Sequence, residues 1–467
     1  MLNRIWRSKG LLTAGIAFLA LFAGLWCGEL ESGDETRVAG IAAEMFFSHD
    51  YLIPTLNGKE FLEYPPLFYW CVCLMYALFG ITDFAAKLPG ALAAFGCVML
   101  TFSLAREMKF SGKAAMGSAL ILLFSSQFLS ESRICRVDMM LNFFILLSLY
   151  AFYTFMTTES PRKRAVCGLL FCAGLTGGIL TKGLIGAVLP GAAIGTWLIG
   201  SNILERKFRP SGFLYAVAGG VIGLALAGIW YLLLLRTGGE EMFHTVVIEN
   251  NLGRFSSQTT DHAEPFFYYL LKLPAWFCPW IFLLPFALCG AVRRIADKRG
   301  QALLFPLLAF LVPFLILCIA SGKRTVYLLP LNAPCALLCG YYLANPPERL
   351  RRWLGWITLR RAAVILTLVC VAVISTDILL ALYRNKKSLR PLFQYCAVLE
   401  QQGKEVILYN PPERTQGAGF FYLHHALPEK RGSAQLPPPG EIWIIRDKKA
   451  DEPGRKFADS HIVLENE

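Results

Sequence analysis

Apolar runs close to the length of a bilayer crossing recur along almost the whole of this 467-residue chain. A helix rising about 1.5 Å per residue needs ~20 apolar residues to cross the hydrocarbon layer. Runs of that kind lie near 11–28, 86–105, 114–130, 139–157, 165–181, 183–200, 212–235, 273–292, 302–320, 326–344 and 361–383. Backbone N–H and C=O groups in hydrocarbon must find partners within their own segment, so these runs predict helices rather than open strands. A twelfth run, 66–81, is short, starts at a proline pair and is broken by Gly80. It reads as an interfacial or re-entrant helix. With 55% hydrophobic residues and mean hydropathy +0.49, the fold class is an all-α polytopic membrane protein of about eleven spans.

A net charge of +12 could signal a polyanion partner, but its distribution decides otherwise. Lys and Arg cluster at Arg4/Arg7/Lys9, Arg106/Lys109/Lys113, Arg162/Lys163/Arg164, Arg206/Lys207/Arg209, Arg293/Arg294/Lys298/Arg299 and Arg349/Arg351/Arg352/Arg360/Arg361. All six fall on the cytoplasmic side if 66–81 does not cross, which is an orientation signal and not a nucleic-acid surface. The 14 cysteines lie mostly inside apolar runs without a zinc-type spacing, so neither a disulfide nor a structural zinc is expected. The apolar segment behind Arg4, Arg7 and Lys9 carries no small-residue cleavage site and is read as a retained first span.

The first external loop, 29–65, is the most informative polar stretch. Ser32 with Glu35 three residues on fits a capping box. Val38, Ile41, Ala42, Met45 and Phe46 then recur at helical spacing, predicting an amphipathic helix flat on the membrane. With the N-terminus inside, the other polar outliers gather on the same face: Arg133, Arg136 and Asp138, then Lys182, then Arg254, Asp261 and His262 in a long loop, 236–272, then Lys323, Arg324 and Tyr327. Singly, these residues read as snorkelling or ion-paired side chains. Concentrated at one mouth of the bundle, they point to a shared site.

Carboxylates, cations and an imidazole at the outer end of such a bundle suit a substrate that is half lipid and half phosphate. If a sugar leaves that phosphate, a carboxylate must orient or deprotonate the acceptor and positive charge must stabilise the departing anion. Asp34, with Glu35 beside it, is the catalytic expectation. Arg133, Arg136, Lys182, Arg254, Lys323 and Tyr327 are the donor-phosphate expectation. Glu63 and His262 offer oxygen and nitrogen ligands for a divalent metal.

The same segments resemble a known family. Asp34-Glu35, the helix to Phe47, Pro54 to Gly58 and Glu63 before Pro65-Pro66 resemble the first external loop of bacterial GT-C membrane glycosyltransferases of the lipid A aminoarabinose transferase and protein O-mannosyltransferase type. SRICRVDMML, TKGLIGAVLP, NLGRFSSQTTDHAEPFFYYL and SGKRTVYLLP resemble later motifs of that family in the same order. The resemblance implies an inverting hexosyl or pentosyl transfer from a polyprenyl-phosphate sugar to a lipid A-like or other envelope acceptor, at the outer face of a bacterial inner membrane. It also implies Asp34 in catalysis, Glu63 and His262 as the metal-associated pair, and Lys323 with Tyr327 near the donor phosphate. The chain departs from the family at Tyr64, where a lysine is common, and at Leu184, where a proline is common.

Beyond the transmembrane glycosyltransferase domain, 1–383, composition turns polar. Residues 384–467 predict a small extracytoplasmic α/β domain, with strands at 406–410 and 441–447, a helix at 417–426 and a turn at Pro437-Pro438-Pro439. The rival reading is a transporter or flippase for an anionic lipid or solute. It calls for paired repeats and mid-span charges, and the spans here are nearly free of charge.

Overall fold

The computed structural model describes residues 2–253, 264–348, 359–431, 441–446 and 461–465. In chain order the helices are α1 (Leu2–Phe22), α2 (Gly33–Ser48), α3 (Leu67–Phe79), α4 (Asp83–Glu107), α5 (Gly112–Leu123), α6 (Ser126–Glu131), α7 (Val137–Thr157), α8 (Pro161–Lys182), α9 (Ile185–Glu205) and α10 (Pro210–His244). They continue as α11 (Tyr268–Trp276), α12 (Leu284–Ala296), α13 (Leu304–Ile319), α14 (Asn332–Ala344), α15 (Leu359–Arg384), α16 (Arg390–Gln401) and α17 (Glu413–Leu423). A two-residue hairpin, β1 (Thr55–Leu56) and β2 (Lys59–Glu60), sits in the first external loop.

Among the described residues nine helical segments are long and apolar enough to cross a membrane, or ten if the pair bent by 115° between Trp276 and Trp280 counts as one crossing. That count takes each helix singly, and the expected eleven crossings include one, 114–130, that is made of two shorter helices. The run 114–130 is divided at Ser125-Ser126, where the Ser125 hydroxyl donates back to the carbonyls of Ile121 and Leu122, and the Ser126 N–H goes to the carbonyl of Cys278. Two helices of 12 and 6 residues result, and together they carry the chain from the end of α4, where Glu107 pairs with Lys163, back to Arg136 beside Asp34. The 66–81 run forms the 13-residue α3, too short to span.

Inside a bilayer helices gain little from hydrophobic burial and associate by close packing of small residues. Helix α5 meets α14 in this way: a Cβ on Gly340 would lie 2.2 Å from the Ser118 hydroxyl.

Helix α2 starts as expected. The Ser32 Oγ accepts the Glu35 N–H at 3.3 Å, Glu35 Oε2 accepts the Ser32 N–H at 3.2 Å, and His49 closes the helix in the left-handed region. It does not lie on a membrane with one face bare, as its periodicity predicts. Residues Glu35 to Met45 are all buried, because α3 covers one side and α17 the other. On the α3 side, Tyr76 Oη and Cys73 Sγ donate to the carbonyls of Ala39 and Ala42. On the other side the backbones of Gly40 and Gly417 touch: a Cβ on Gly40 would fall 2.5 Å from the Gly417 carbonyl oxygen, so no larger residue fits the crossing.

The C-terminal segment holds a four-stranded sheet with strand order β4-β3-β5-β6. Strand β3 (Glu405–Tyr409) runs parallel to β4 (Glu429–Lys430) and β5 (Glu441–Arg446), and β5 is antiparallel to β6 (His461–Glu465). Phe393, Cys396 and Leu399 of α16 pack with Val406, Leu408, Leu427 and Ile444 as its core. Helix α17 begins at Glu413, four residues ahead of the sequence-based expectation, directly behind Pro411-Pro412. The Pro437 to Pro439 turn lies outside the described residues.

Candidate active site

The first turn of α2 places Asp34 at the centre of three guanidinium groups. Asp34 Oδ1 accepts from Arg37 Nη2 at 3.0 Å, and Oδ2 accepts from Arg136 Nη2 at 2.6 Å and Arg324 Nη2 at 2.7 Å. Each arginine arrives from a different element. Arg37 is one helical turn along from Asp34, Arg136 precedes α7, and Arg324 precedes the 3-10 turn Thr325–Leu331. Second carboxylates hold them in place. Arg37 reaches Glu63 at 3.3 Å and Glu413 of α17 at 2.5 Å, and Arg136 reaches Glu131 at 3.0 Å.

Burial alone would raise the Asp34 pKa, but Arg136, Arg324 and Arg37 outweigh it and hold the carboxyl below its ordinary value. Burial pushes Glu131 up despite Arg136 beside it, so this acid protonates more readily than an exposed glutamate. Burial would lower Arg37 and Arg324, yet their carboxylate partners drive both above the ordinary arginine value.

A groove of about 530 Å³ opens beside this cage, lined by Ser126, Gln127, Ser130, Glu131, Arg136 and Arg324 with Trp276 and Thr325. Gln127 donates to the Thr325 carbonyl at 2.7 Å. Its buried Oε1, and the buried Nε of Arg136, have no hydrogen-bond partner among the described residues. Unpaired buried polar atoms are costly, and here they border a space large enough for a polar headgroup.

The other residues singled out from sequence fall in different places. Glu35 is taken up by the helix cap and by the Cys135 N–H at 3.3 Å, so its carboxylate is a local brace. Arg133 donates to the Ala23 carbonyl and pairs with Asp377 at 3.4 Å, joining the first and last spans. Lys182 is buried and paired with Asp138, its ammonium 4.7 Å from the Tyr327 ring centre and 5.5 Å from that of Tyr64. This pair occupies the lysine and turns Tyr327 toward it. Lys323 caps the end of α13, donating to the carbonyls of Ala320 at 2.6 Å and Glu264 at 2.8 Å. Arg324, one residue on, is the cation that reaches Asp34. Arg254 and His262 lie outside the described residues.

For the expected metal pair, Glu63 faces the Arg37 guanidinium at 3.3 Å. No group of three or more His, Cys, Asp or Glu able to hold a metal occurs among the described residues. Carboxylates already matched by arginines are a poor donor set for a divalent cation.

The sequence places Arg37 and Arg324 among the polar residues of the external face without a specific role, and does not single out Glu131 or Glu413. Arg37 carried a local signal, its spacing of three from Asp34 on a helix. Glu131 lies only five residues before its partner Arg136 but on the far side of a helix end, and Glu413 carries no signal because Arg37 is 376 residues away.

The dolichyl-phosphate-mannose-protein mannosyltransferase family matches residues 12–239. An uncharacterized protein of Aquifex aeolicus is 30% identical over 426 residues, 85% of this chain and 81% of its own length. The undecaprenyl phosphate-alpha-4-amino-4-deoxy-L-arabinose arabinosyl transferase of Edwardsiella ictaluri is 29% identical over 66% of this chain, and transferase 2 of Proteus mirabilis 27% over 66%. The chain spans only about half the length of these two transferases, 55% and 54%. Among solved structures, ArnT from Cupriavidus metallidurans bound to undecaprenyl phosphate superposes with TM-score 0.72 at 22% identity, covering 91% of this chain and 86% of that one. The Archaeoglobus fulgidus oligosaccharyltransferase gives 0.55 at 12% identity, covering 91% and 64%. Those two likenesses establish the fold, and the Aquifex relative extends the kinship along most of the chain. The protein is thus a multi-span membrane protein that belongs to the GT-C glycosyltransferase family of the aminoarabinose transferase and protein O-mannosyltransferase type.

Proposed function

We propose that the chain moves a hexosyl or pentosyl group from a polyprenyl-phosphate carrier to a lipid A-like or other envelope acceptor, with inversion at the sugar carbon. The observation that carries this reading is the Asp34 carboxylate holding Arg136 and Arg324 at 2.6 and 2.7 Å on the rim of a groove of about 530 Å³. The names of the arabinosyl transferase relatives support undecaprenyl phosphate as the carrier. Basic loops on the opposite side of the bundle support an extracytoplasmic site in a bacterial inner membrane.

In this mechanism the bond between the sugar carbon and the phosphate oxygen breaks while the acceptor oxygen bonds to that carbon. Charge then grows on the departing phosphate. Arg136 and Arg324, already oriented by Asp34, neutralise it without further reorganisation. A carboxylate offers about four acceptor positions, of which the three arginines use three. The remaining one, on Oδ1, orients an acceptor hydroxyl. Its lowered pKa makes Asp34 a weak base, so the hydroxyl proton passes to Oδ1 late, once the new bond has acidified that hydroxyl, while the phosphate leaves as the anion held by Arg136 and Arg324. The same reading divides the chain into a transmembrane body, 1–383, and a C-terminal unit, 384–467, that closes over the first external loop.

Asp34→Asn tests the proposal: it keeps the shape and removes the charge. Mass spectrometry of envelope lipids from cells carrying either form reports whether the sugar-sized mass increase made by the wild type disappears. An undiminished product would remove Asp34 from the chemistry, and a transporter would leave no covalent product at all.

A further inference from the structure

The C-terminal unit reaches into the Asp34 cage through one side chain. We infer that Glu413, at the start of α17, is a positioning residue for the transfer reaction, acting through Arg37 on Asp34. The inference rests on the reading of Asp34 given above.

The Arg37 guanidinium spends Nη2 on Asp34 at 3.0 Å and Glu63 at 3.3 Å, and Nη1 on Glu413 at 2.5 Å. Its carbon lies 5.3 Å from the Phe61 ring centre, which fixes the plane but not rotation within it. Glu413 supplies the contact on the far side that stops that rotation. Remove it and the outer nitrogen loses its only partner among the described residues, so the Asp34 Oδ1 contact loosens and the orientation of the whole carboxylate follows.

Helix α17 is held firmly enough to do this. Its middle cannot move toward α2 because the Gly417 and Gly40 backbones already touch. Past its C-terminal end Asn57 clamps Leu427 with two hydrogen bonds of 2.9 Å, and Tyr422 donates to Asp83 at 3.1 Å. A rigid helix crossing α2 therefore delivers a carboxylate to one guanidinium of the site.

The character of the pair argues for positioning rather than for stability. The Glu413 side chain is 53% exposed while that of Arg37 is 11% exposed. Ion pairs with one partner so open to solvent contribute little to stability, whereas a small displacement of a reacting group can cost up to ~100-fold in rate.

The test uses the full chain in membrane vesicles, with the initial rate of sugar transfer to the wild-type acceptor followed at saturating and limiting polyprenyl-phosphate sugar. Glu413→Ala is expected to lower kcat about tenfold with donor KM changed less than about twofold, since ground-state binding lies with Arg136 and Arg324. Glu413→Gln retains an oxygen acceptor for Nη1 and is expected within about threefold of wild type, and Glu413→Lys should be worse than Ala. Thermal melts of all three should match the wild type. The inference is overturned if Ala transfers sugar at the wild-type rate or faster, if Gln is no better than Ala, or if rate and melting temperature fall together. Asp34→Asn assayed alongside separates the two claims: an active Asn variant sinks the site itself, and an inactive one beside an unchanged Glu413→Ala sinks only the role of Glu413.

Discussion

Arg136→Ala should be the most informative loss at the site. Three cations, Arg37, Arg136 and Arg324, face four carboxylates, Asp34, Glu63, Glu131 and Glu413, so the cage is already short of positive charge before any phosphate enters. Deleting Arg136 removes one of the two guanidiniums on the groove and leaves Asp34 and Glu131 less compensated. One unit charge at ~6 Å in a partly buried site of effective dielectric ~20 interacts by about 2.8 kcal/mol, close to a hundredfold in rate or binding. Loss of a preorganised donor at a developing oxyanion costs a similar 10²–10³ in kcat, by about the same reasoning. Transfer measured in vesicles should therefore fall about 100-fold in kcat/KM, and Arg136→Lys should recover little, because an ammonium cannot fork between Asp34 and Glu131 as the guanidinium does. A decrease smaller than threefold in the Ala variant, with the protein intact, would refute the assignment of Arg136 to the departing phosphate.

Glu44, whose carboxylate accepts the Gly58 N–H at 3.0 Å, the Thr55 hydroxyl at 2.7 Å and the Asn57 N–H, holds the hairpin against α2; Glu44→Ala should cost about 1–3 kcal/mol and open that loop to protease, read by melting and by limited proteolysis. Gly417→Ala drives a Cβ to 2.4 Å from the Thr36 carbonyl and should destabilise by about 1–3 kcal/mol, visible as an earlier unfolding transition. Because the folded pKa of Asp34 lies below the ordinary value of 3.8, its ion pairs add stability in full above that pH and lose it as pH falls through the lower, folded value. Melting curves taken downward through that window should show a loss that Asp34→Asn abolishes. Lys182→Met with Asp138 retained should destabilise more than Lys182→Met combined with Asp138→Leu, since a lone buried charge costs more than an apolar pair, and a double-mutant cycle measures the difference.

Much of this architecture is written in local pattern. Apolar length determines most of the crossings, the Ser32 to Glu35 spacing determines where α2 starts, and the side bias of Lys and Arg brings Asp34, Arg136 and Arg324 to one mouth. These are properties of consecutive residues meeting a slab of hydrocarbon, so they can be read without tertiary information. Asp34 could be singled out for the same reason: a carboxylate in the first turn behind a span is visible in one dimension.

What only the tertiary structure decided depends on contacts between segments far apart in the chain. Lys323 and Arg324 are neighbours of like charge, and packing at the end of α13 turns the first toward Ala320 and Glu264 and the second toward Asp34. Lys182, a phosphate candidate by position, is paired with Asp138, 44 residues away. The periodicity of α2 shows two faces but not what covers the polar one. Helix α17, almost 400 residues on, covers it and brings Glu413 to Arg37. A charged side chain settles wherever its desolvation is best repaid by a partner, and that partner is chosen by the whole fold rather than by sequence neighbours.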